Sequence, residues 1–583
     1  MSSWENVYQK WHSFEDLDES LRSELDKLKE NKTALEDAFY KELTFGTGGM
    51  RGVLGAGTNR MNIYTVRKAV NGLANYLLTN RVNVRDRGVV VAYDSRYMSR
   101  EFAVETAKVL GAYGIRTSVF ESPRPTPLLS FAVRHLRTAA GIMITASHNP
   151  PEYNGFKVYN EDGGQITPDE AGDIVDDIQV TENELTVPVL DMEVLEEKDL
   201  LNWINNEIDN AYLEQLKTIT KMDLEEQQHD KELPIVFTPL HGTANQLVTK
   251  GLEQLHFSNV DVVNEQAEPD PEFSTVESPN PEEHQAFTLA IEQGKKRNAS
   301  ILLATDPDGD RLGVAVRNKT GEYQVLTGNQ LGSLLLDYIL SHSDPVILKT
   351  ARMIKTVVTT ELSRSIADSY DVPTIDTLTG FKFIGEKINQ FDATGETFVF
   401  GFEESYGYLI SSFARDKDAV QAAVMACEMA YYWDLHGKTL LDALHDLYVK
   451  HGYYLEGMSS LTLKGKEGSD QIAAIMSEIR SEPLTEIAGV KVEKVEDYLV
   501  GERTFMESGE KETIELPNEN MMKFILEKDS WVCLRPSGTE PKIKCYYGVR
   551  EESLEASEER LASLKGNMDG IIERIRMPME NRS

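Results

Sequence analysis

Short apolar runs alternate with longer amphipathic stretches along most of this chain. Each run of β-branched and other apolar residues ends at a Gly, Pro or polar turn, which predicts a buried strand. Strand, turn and helix repeated in this order are typical of α/β units whose sheets are largely parallel. The predicted strands span residues 89–93, 115–120, 141–145, 235–240, 260–263, 301–305, 346–350, 372–378 and 397–402, with helices predicted at 99–113 and 126–135.

Three segments depart from this alternation. Residues 1–44 are charged, with apolar residues at helical spacing, and they predict an N-terminal helical arm. Residues 181–230 hold fourteen Asp and Glu against three Lys and show no strand pattern, so we expect a solvated helical connector. After about residue 450 the pattern changes to strands at 453–463 and 531–534 and helices at 469–480 and 554–575, which predicts a separate α+β domain.

The length of the chain predicts several domains. At 583 residues it is too long for one hydrophobic core, and roughly 150 residues per domain gives about four. We therefore predict three similar α/β domains with mixed, largely parallel sheets, followed by a C-terminal α+β domain. The expected boundaries are 1–44 for the arm, 45–208 for domain 1, 209–324 for domain 2, 325–450 for domain 3 and 451–583 for domain 4.

The charge balance narrows the possible partners. The chain carries 60 Lys and Arg against 96 Asp and Glu, a formal charge of −36, which disfavours general binding to nucleic acid or to anionic lipid. An anionic ligand must therefore meet a local cluster of positive groups. Cys427, Cys533 and Cys545 form no CxxC pair, and neither a signal peptide nor a membrane span is predicted, so we expect a cytoplasmic protein.

The first candidate site follows the strand predicted at 141–145. In open α/β sheets ligands bind beyond the carboxyl ends of the strands, and this strand delivers Ser147 and His148 to a turn. Ser147 is a candidate nucleophile, although a turn chosen for its backbone geometry is about as good an explanation of this loop alone. Downstream, Asn154-Gly155 predicts a tight turn that returns Lys157 to the same end of the sheet, where it can bind phosphate or move a proton.

The strongest single signal follows the strand predicted at 301–305. Asp306, Asp308 and Asp310 stand at alternate positions of one loop and can converge on a hard divalent cation. The loop is not an EF-hand, because positions 6 and 12 counted from Asp306 hold Arg311 and Arg317 instead of Gly and Glu. A polar turn remains the weaker alternative, and Arg311 is well placed to hold a phosphoryl group.

Three further loops carry groups that bind anions or sugars. Residues 535–539 combine an arginine, two hydroxyl side chains and a glycine, which indicates an anion-binding loop. Residues 400–407 end a strand with two carboxylates and a serine, groups suited to sugar hydroxyls, although a solvated turn explains them equally well alone. The glycine-dense segment 44–52 carries Arg51 and matches neither a Walker A loop nor a GxGxxG fingerprint.

Taken together, four of these motifs resemble the α-D-phosphohexomutase superfamily, and within it the branch of bacterial phosphoglucomutases that also contains phosphopentomutases. They stand in the order of that family, one in each predicted domain. The motifs are Thr-Ala-Ser-His-Asn-Pro at 145–150, Asp-Pro-Asp-Gly-Asp-Arg at 306–311, Gly-Phe-Glu-Glu-Ser-Tyr-Gly at 401–407 and Arg-Pro-Ser-Gly-Thr-Glu-Pro at 535–541.

The resemblance implies a fold in which three similar α/β domains and a C-terminal domain surround one central cleft. It also implies that Ser147 is a phosphoserine, and that its phosphate joins Asp306, Asp308 and Asp310 around one Mg²⁺ ion. The other residues that match family positions are Arg51, His148, Lys157 and Arg311 around the phosphoserine; Thr379, Gly380, Glu403, Ser405 and Lys417 for the sugar; and Arg535, Ser537, Gly538 and Thr539 for the phosphate that is not transferred.

The implied activity is that of a phosphoglucomutase acting through a bound glucose 1,6-bisphosphate, which also serves as activator. The expected partners are small sugar phosphates, with no nucleic acid and no membrane, and the expected state is a monomer or a weak homodimer. Phe402 and the N-terminal arm depart from the best-described glucose enzymes, so a phosphopentomutase acting on ribose or deoxyribose phosphates is the second candidate. A metal-dependent sugar phosphatase and a non-catalytic sugar-phosphate sensor are two weaker candidates.

Overall fold

The computed structural model describes residues 3–223, 229–538 and 541–576 of the chain. These residues divide into two compact units. The first unit contains Met1–Gly328 and Phe381–Thr439, and the second contains Asn329–Gly380 and Leu440–Ser583.

The N-terminal segment of the first unit is helical, as its apolar spacing predicts. Trp11 is fully buried there and packs edge to face against Phe39 and Tyr64, while its indole N–H donates to the buried carboxylate of Glu184. The arm therefore contributes to the core of the first unit. Its helices are α1 (Ser3–Ser13), α2 (Glu19–Leu28) and α3 (Lys32–Phe39).

A mixed seven-stranded sheet follows the arm. Its elements in chain order are β1 (Phe45–Gly46), β2 (Gly49–Val53), α4 (Ile63–Asn80), α5 (Val84–Arg87), β3 (Val89–Tyr93), α6 (Ser99–Ala112), β4 (Thr117–Phe120), α7 (Thr126–Leu136), β5 (Ala140–Ile144), β6 (Tyr153–Tyr159), α8 (Pro168–Gln179), α9 (Met192–Glu197) and β7 (Leu201–Ile204). The strand order is β1-β2-β6-β5-β3-β4-β7. Strands β5, β3, β4 and β7 run parallel, whereas β6, β2 and β1 continue the sheet antiparallel.

Two features of this sheet follow from local sequence, and one contradicts the sequence prediction. Strands β3 and β5 are buried along their whole length, as expected of parallel strands covered on both faces. Helix α4 begins at a capping box formed by Asn62 and Thr65. The prediction of no strand within residues 181–230 is wrong, because β7 adds to the edge of the sheet beside β4. Four residues with a single buried side chain give too short an apolar pattern to be recognised.

The next sheet has five strands. Its elements are α10 (Asn206–Leu216), β8 (Ile235–Thr238), α11 (Asn245–Gln254), β9 (Val260–Val262), α12 (Asn264–Ala267), α13 (Thr288–Arg297), β10 (Ile301–Thr305), β11 (Leu312–Arg317) and β12 (Tyr323–Val325), and the strand order is β12-β11-β10-β8-β9. Strands β10, β8 and β9 are parallel, while β10, β11 and β12 are antiparallel neighbours. Because Thr305 pairs with Leu312, residues 306–311 form the loop of a hairpin.

The chain then passes into the second unit and back. The second unit holds α14 (Gly328–Ser341), α15 (Pro345–Leu348), β13 (Ala351–Thr356), α16 (Leu362–Asp368) and β14 (Thr374–Thr377), and the first unit resumes with α17 (Phe381–Thr394), β15 (Thr397–Glu403), β16 (Gly407–Leu409) and α18 (Ala419–Leu435). The strand predicted at 346–350 is wrong. Asp344 accepts from the Val346 N–H and Pro345 occupies the first helical position, so a helical turn forms there and the strand begins at Ala351.

The rest of the second unit is an antiparallel sheet covered by helices, which agrees with the α+β pattern of the sequence. Its elements are α19 (Leu440–His451), β17 (Tyr453–Thr462), α20 (Gly465–Ser481), β18 (Glu486–Ile487), β19 (Val490–Asp497), β20 (Glu502–Phe505), β21 (Lys511–Thr513), β22 (Met522–Leu526), β23 (Trp531–Pro536), β24 (Lys542–Glu551) and α21 (Leu554–Arg576). The strand order is β17-β24-β23-β22-β19-β20-β21, with β18 paired to β19. All three cysteines are buried free thiols. Among the described residues, no helix is both long enough and apolar enough to cross a membrane.

Candidate active site

The hairpin between β10 and β11 brings three carboxylates together. Asp306, Asp308 and Asp310 are almost completely buried, and one carboxylate oxygen from each lies within 4.8 Å of the others. The N–H groups of Asp310 and Arg311 donate to Asp306 Oδ1 at 3.1 and 3.0 Å, which fixes that side chain inside the loop. Gly309 has φ +64° and lies against Pro125, so a side chain at this position is excluded.

This carboxylate group fits a hard divalent cation. Asp308 Oδ1 and Asp310 Oδ1 are buried and accept no hydrogen bond from the part of the chain that the structure describes. Burial, with the negative charges of Asp310 and Asp308, raises the pKa of Asp306 well above its usual range. Three carboxylates this close repel one another, and an oxygen-seeking cation is the ligand that would balance them.

Ser147 lies beside this group in a strained backbone conformation. Its φ is +53°, a region that non-glycine residues rarely adopt, and the Thr145 hydroxyl accepts from its N–H at 2.8 Å. The Ser147 hydroxyl donates to Asp306 Oδ2 at 2.9 Å and lies 3.3 Å from His148 Nδ1. The structure thus places the candidate nucleophile in direct contact with the candidate metal ligands.

Two lysines from other elements contact the carboxylates. Lys157 Nζ lies 2.8 Å from Asp308 Oδ2, and Lys417 Nζ lies 2.9 Å from Asp310 Oδ2. Burial alone would raise the pKa of Asp308, but Lys157, the hydrogen bond with Asp306 and the charge of Lys417 together hold that pKa well below its usual range. The prediction of a turn at Asn154-Gly155 is wrong. Both residues lie inside β6, because their backbone pairs with β2, and that strand carries Lys157 to the site.

Arg51 and His148 flank Ser147. Arg51 Nη1 donates to Asn149 Oδ1 at 2.6 Å, so it holds the turn that carries the serine. Burial, assisted by the positive charges of Arg311 and Arg51, lowers the pKa of His148 to about 3. The imidazole is therefore neutral at physiological pH and can accept a proton, although Arg311 and Arg51 disfavour its charged form.

The loop between β15 and β16, which is predicted to bind sugar, adjoins the carboxylate hairpin. The Leu312 N–H donates to the Tyr406 carbonyl at 3.0 Å, and Arg311 forms an isolated β-bridge with Gly407. Glu403 lies close enough to interact electrostatically with Arg311. Ser405 lies in the turn between the two strands and is half-buried. Residues predicted separately for metal and for sugar thus share one edge of the first unit.

Six predicted site residues belong to the second unit, and five of them lie in the part of the chain that the structure describes. Arg535 Nε donates to Glu519 Oε1 at 2.5 Å, and the Ser537 N–H donates to the Lys542 carbonyl at 2.7 Å. Among the described residues, none has an atom within 4 Å of the position that a Cβ on Gly538 would take. Thr379 and Gly380 follow β14. Thr539 lies outside the described residues, and the role of this unit in the same site stays a prediction.

Sequence reasoning missed polar groups that hold these loops in place. The Thr126 N–H and hydroxyl donate to the Asp308 carbonyl and carboxylate at 2.8 and 3.1 Å, and Glu282 accepts from the Arg311 guanidinium. Asp94 and Arg96 lie under the turn that contains Ser147. A signal for the last two existed, because they follow the end of β3 in the same way that the predicted site residues follow other strands.

The arrangement provides the groups that phosphoryl transfer requires. A serine hydroxyl stands next to a carboxylate group suited to a divalent cation, with Arg51, Lys157, Arg311 and Lys417 within the same region of the first unit. Positive groups that surround a nucleophile stabilise charge on a transferred phosphoryl group. These four positively charged side chains are clustered in a chain whose net charge is −36.

Most of the chain matches known proteins that catalyse phosphoryl transfer on sugars. The phosphoglucomutase/phosphomannomutase alpha/beta/alpha domains I, II and III match residues 42–184, 210–321 and 327–451, and the C-terminal domain matches residues 477–562. A phosphoglucomutase of Staphylococcus aureus (strain bovine RF122 / ET3-1) is 40% identical over 521 residues, covering 88% of this chain and 91% of that protein. A phosphoglucomutase of Staphylococcus haemolyticus is 39% identical over 526 residues, covering 90% and 93%.

Solved structures show the same fold at lower identity. A phosphoglucomutase/phosphomannomutase family protein from Burkholderia thailandensis has a TM-score of 0.65 at 19% identity, covering 91% of this chain and 97% of that chain. Parafusin, a phosphoglucomutase of Paramecium, has a TM-score of 0.66 at 16% identity, covering 92% and 95%. The predicted architecture of three α/β domains followed by a C-terminal domain is confirmed.

Proposed function

This chain belongs to the phosphoglucomutase/phosphomannomutase family, and on that premise we propose that it is a phosphoglucomutase, which interconverts glucose 1-phosphate and glucose 6-phosphate. The observation that carries the proposal is the 2.9 Å contact between the Ser147 hydroxyl and Asp306, at the centre of a buried carboxylate group. A serine that only formed a turn would gain nothing from three buried aspartates beside it.

In the proposed reaction, phosphorylated Ser147 donates its phosphoryl group to the free hydroxyl of a sugar monophosphate. A bond forms between that hydroxyl oxygen and phosphorus, the bond from phosphorus to Ser147 Oγ breaks, and the hydroxyl proton passes to a neighbouring base. Ser147 Oγ, the leaving group, takes up a proton. The resulting glucose 1,6-bisphosphate turns around in the site, and Ser147 Oγ gives up this proton as it bonds to the phosphorus of the other phosphoryl group. The bond from that phosphorus to the sugar oxygen breaks, and the sugar oxygen takes up a proton. The isomeric monophosphate then leaves, and the enzyme is again phosphorylated.

The chain's own side chains have distinct parts in this scheme. Asp306, Asp308 and Asp310 would hold one Mg²⁺ ion, which when bound supplies positive charge to the phosphoryl oxygens. Arg311 and Arg51 would orient the phosphoryl group as bidentate donors. Of the groups placed around Ser147, His148 is the one whose low pKa leaves a ring nitrogen unprotonated at neutral pH.

The remaining predicted residues would bind the substrate. Glu403 and Ser405, with Lys417 and the backbone at Thr379 and Gly380, would contact the sugar. The loop of Arg535, Ser537, Gly538 and Thr539 would hold the phosphate that is not transferred. A glucose 1,6-bisphosphate activator, a monomeric or weakly dimeric state and a cytoplasmic location are parts of the same proposal.

The first test replaces the nucleophile. We expect Ser147→Ala to lose turnover of glucose 1-phosphate by about 10⁴-fold or more in the presence of Mg²⁺ and glucose 1,6-bisphosphate, because no covalent intermediate can form. Thr186→Ala, which alters an exposed hydroxyl of the same unit, is the matched control and should keep wild-type activity. Wild-type turnover by Ser147→Ala would refute the mechanism.

The same assay separates the competing activities. Release of inorganic phosphate at the rate of sugar-phosphate consumption would identify a phosphatase instead of a mutase. A comparison of kcat/KM for glucose, mannose, ribose and N-acetylglucosamine 1-phosphates tests the sugar, and a clear preference for ribose would identify a phosphopentomutase. Binding of these sugars without any turnover would identify a sensor.

A further inference from the structure

The turn that carries Ser147 is held from beneath by one buried arginine. Arg96 follows the end of β3, and only 4% of its surface is exposed. Its Nη2 donates to the carbonyls of Ser147, at 2.6 Å, and of Asn149, while its Nη1 donates to the carbonyls of Pro150 and Tyr153 at 2.7 and 3.1 Å. All four N–H groups of the two terminal nitrogens therefore bind one short segment, residues 147–153.

The third nitrogen of the guanidinium, Nε, takes part in an ion pair. Arg96 Nε lies 3.3 Å from Asp94 Oδ2, and both side chains are completely buried. Asp94 is itself held by the Ser99 hydroxyl at 2.7 Å. One face of the guanidinium lies over the Phe273 ring at 4.9 Å. Phe273 lies between α12 and α13, on the stretch of chain that leads to the carboxylate hairpin. Arg96 therefore contacts both the Ser147 turn and the segment that precedes the hairpin.

The hydrogen bonds from Arg96 stabilise an energetically unfavourable backbone conformation at Ser147. Ser147 occupies the left-handed region of backbone conformation, which costs a non-glycine residue on the order of 1 kcal/mol and persists only where surrounding groups hold it. Within the described chain, the backbone groups of Ser147 bind the Thr145 hydroxyl and Arg96. The direction of the Ser147 side chain toward Asp306 thus depends on the donors of Arg96.

We propose that Arg96 is a positioning residue for phosphoryl transfer, which holds the turn of Ser147 in the orientation that aims its hydroxyl at the carboxylate group. This inference rests on the proposed function of Ser147. Arg96 does not reach Ser147 Oγ; it binds only backbone carbonyls of the turn. Its removal therefore affects the transfer step through the geometry of the nucleophile and leaves the sugar contacts in place.

The four carbonyls of the turn require the donors of an arginine at position 96, and a positive charge alone is not sufficient. Arginine presents five N–H donors in a rigid planar fork, whereas lysine presents three from one nitrogen. A lysine at position 96 keeps the positive charge beside Asp94 but leaves carbonyls of the turn unpaired. Displacement of a reacting group by about 1 Å costs about 100-fold in rate.

The test compares Arg96→Lys with a matched arginine elsewhere in the same unit. Arg67 also pairs with a carboxylate, Glu105, at 2.7 Å and lies over an aromatic ring, that of Tyr64, at 5.2 Å, but it binds no part of the Ser147 turn. We expect Arg96→Lys to lower kcat about 100-fold while KM for glucose 1-phosphate changes less than about threefold. Arg67→Lys should lower the Tm by about as much as Arg96→Lys does, but it should keep the wild-type kcat.

A second readout follows the phosphoryl group itself. Wild-type and variant enzymes are labelled at Ser147 from radioactive glucose 1,6-bisphosphate, and transfer to sugar is compared with loss to water. A misdirected phosphoserine should transfer more slowly to sugar while its loss to water is unchanged or faster, a change that a purely structural role would not produce. If Arg96→Lys does not fold, Asp94→Asn, which keeps the arginine but removes its charged partner, should show the same effect several-fold weaker.

Two results would overturn the inference. One is wild-type kcat in a folded Arg96→Lys or Asp94→Asn enzyme, and the other is an equal loss of kcat in Arg67→Lys. Failure of the proposed function would be recognised separately, because the wild-type enzyme would then fail to acquire label on Ser147 or to convert glucose 1-phosphate.

Discussion

At the scale of single residues, the candidate site depends on a few positions with an unusual backbone conformation or a very close contact between backbone segments. Ser147 and Gly309 both have positive φ, one as the candidate nucleophile and the other inside the carboxylate loop. Gly242 supports that loop from outside. A Cβ on Gly242 would lie 2.5 Å from Pro307 Cα and 2.7 Å from the Pro307 carbonyl oxygen. The glycine therefore allows the segment after β8 to lie directly against the loop of Asp306 and Asp308.

Replacement of Gly242 by alanine tests this contact. We expect Gly242→Ala to lower stability by about 1–3 kcal/mol, because the clash is with backbone and cannot be relieved by a rotamer change. Displacement of Pro307 should also raise the Mg²⁺ concentration needed for half-maximal activity about tenfold. Thermal unfolding and a Mg²⁺ titration of activity measure the two effects.

The control for this substitution is Gly172→Ala in α8. A Cβ at Gly172 meets no atom of the described residues within 4 Å, and alanine is the better helix former, so this variant should gain up to about 1 kcal/mol and keep its metal dependence. Equal behaviour of Gly242→Ala and Gly172→Ala would show that the contact with Pro307 carries no strain.

At the scale of elements, α18 begins immediately after the candidate site residue Lys417 and its neighbour Asp418. Asp418 caps this helix and accepts from the Val420 and Gln421 N–H groups at 3.0 Å each, and the Tyr212 hydroxyl also donates to it. The carboxylate is completely buried, and burial raises its pKa to about 6 although these donors oppose the shift. The helix that fixes the position of Lys417 therefore begins at a carboxylate with a high pKa.

The sign of the resulting pH dependence follows from linkage. Since the folded pKa of Asp418 lies above the unfolded value of about 3.9, the folded state binds more protons than the unfolded state between the two pKa values. The contribution of Asp418 to stability therefore falls as pH rises from about 4 to about 6. Asparagine does not titrate, so the Tm of Asp418→Asn relative to wild type should rise as pH increases through the same range, from about 4 to about 6. A constant Tm difference across this range would contradict the shifted pKa.

At the scale of the whole molecule, charge is distributed unevenly. The net charge of −36 is carried by many exposed acidic residues, whereas Lys157 and Lys417 of the candidate site pair with buried aspartates and are themselves mostly buried. A large excess of one sign destabilises the compact state through self-repulsion. The net negative charge thus opposes folding in general, whereas the local cluster of positive side chains is suited to binding an anion.

Screening should relieve this repulsion. We expect the Tm to rise when KCl is increased from about 0.02 to about 0.3 M, because the Debye length falls to less than about 10 Å over this range. Scanning calorimetry at constant pH, in Mg²⁺-free buffer, measures the shift without metal binding. A lower Tm at the higher salt concentration would mean that surface ion pairs outweigh the net repulsion.

Much of the fold followed from short-range patterns. Strands β3, β10 and β15 and helices α6, α7 and α21 lie within one or two residues of their predicted positions, because continuous apolar runs and amphipathic spacing are properties of local sequence. The failures have local or tertiary causes. The helical turn at Pro345 arises from a cap that outweighs its apolar run, and β7 exists because a neighbouring strand offers a free edge.

The sequence by itself determined the chemical inventory: a serine, three alternating aspartates, a carboxylate-rich loop predicted to bind sugar and a loop beginning at an arginine predicted to bind phosphate, each following a predicted strand. These are sets of adjacent residues, and adjacency along the chain is all that a sequence motif records. Only the tertiary structure decided which carboxylate Ser147 meets, which lysines pair with Asp308 and Asp310, and that Arg96 binds the serine turn. Those contacts join residues that lie from 51 to 159 positions apart, and strand pairing and burial set their distances, which no local pattern encodes.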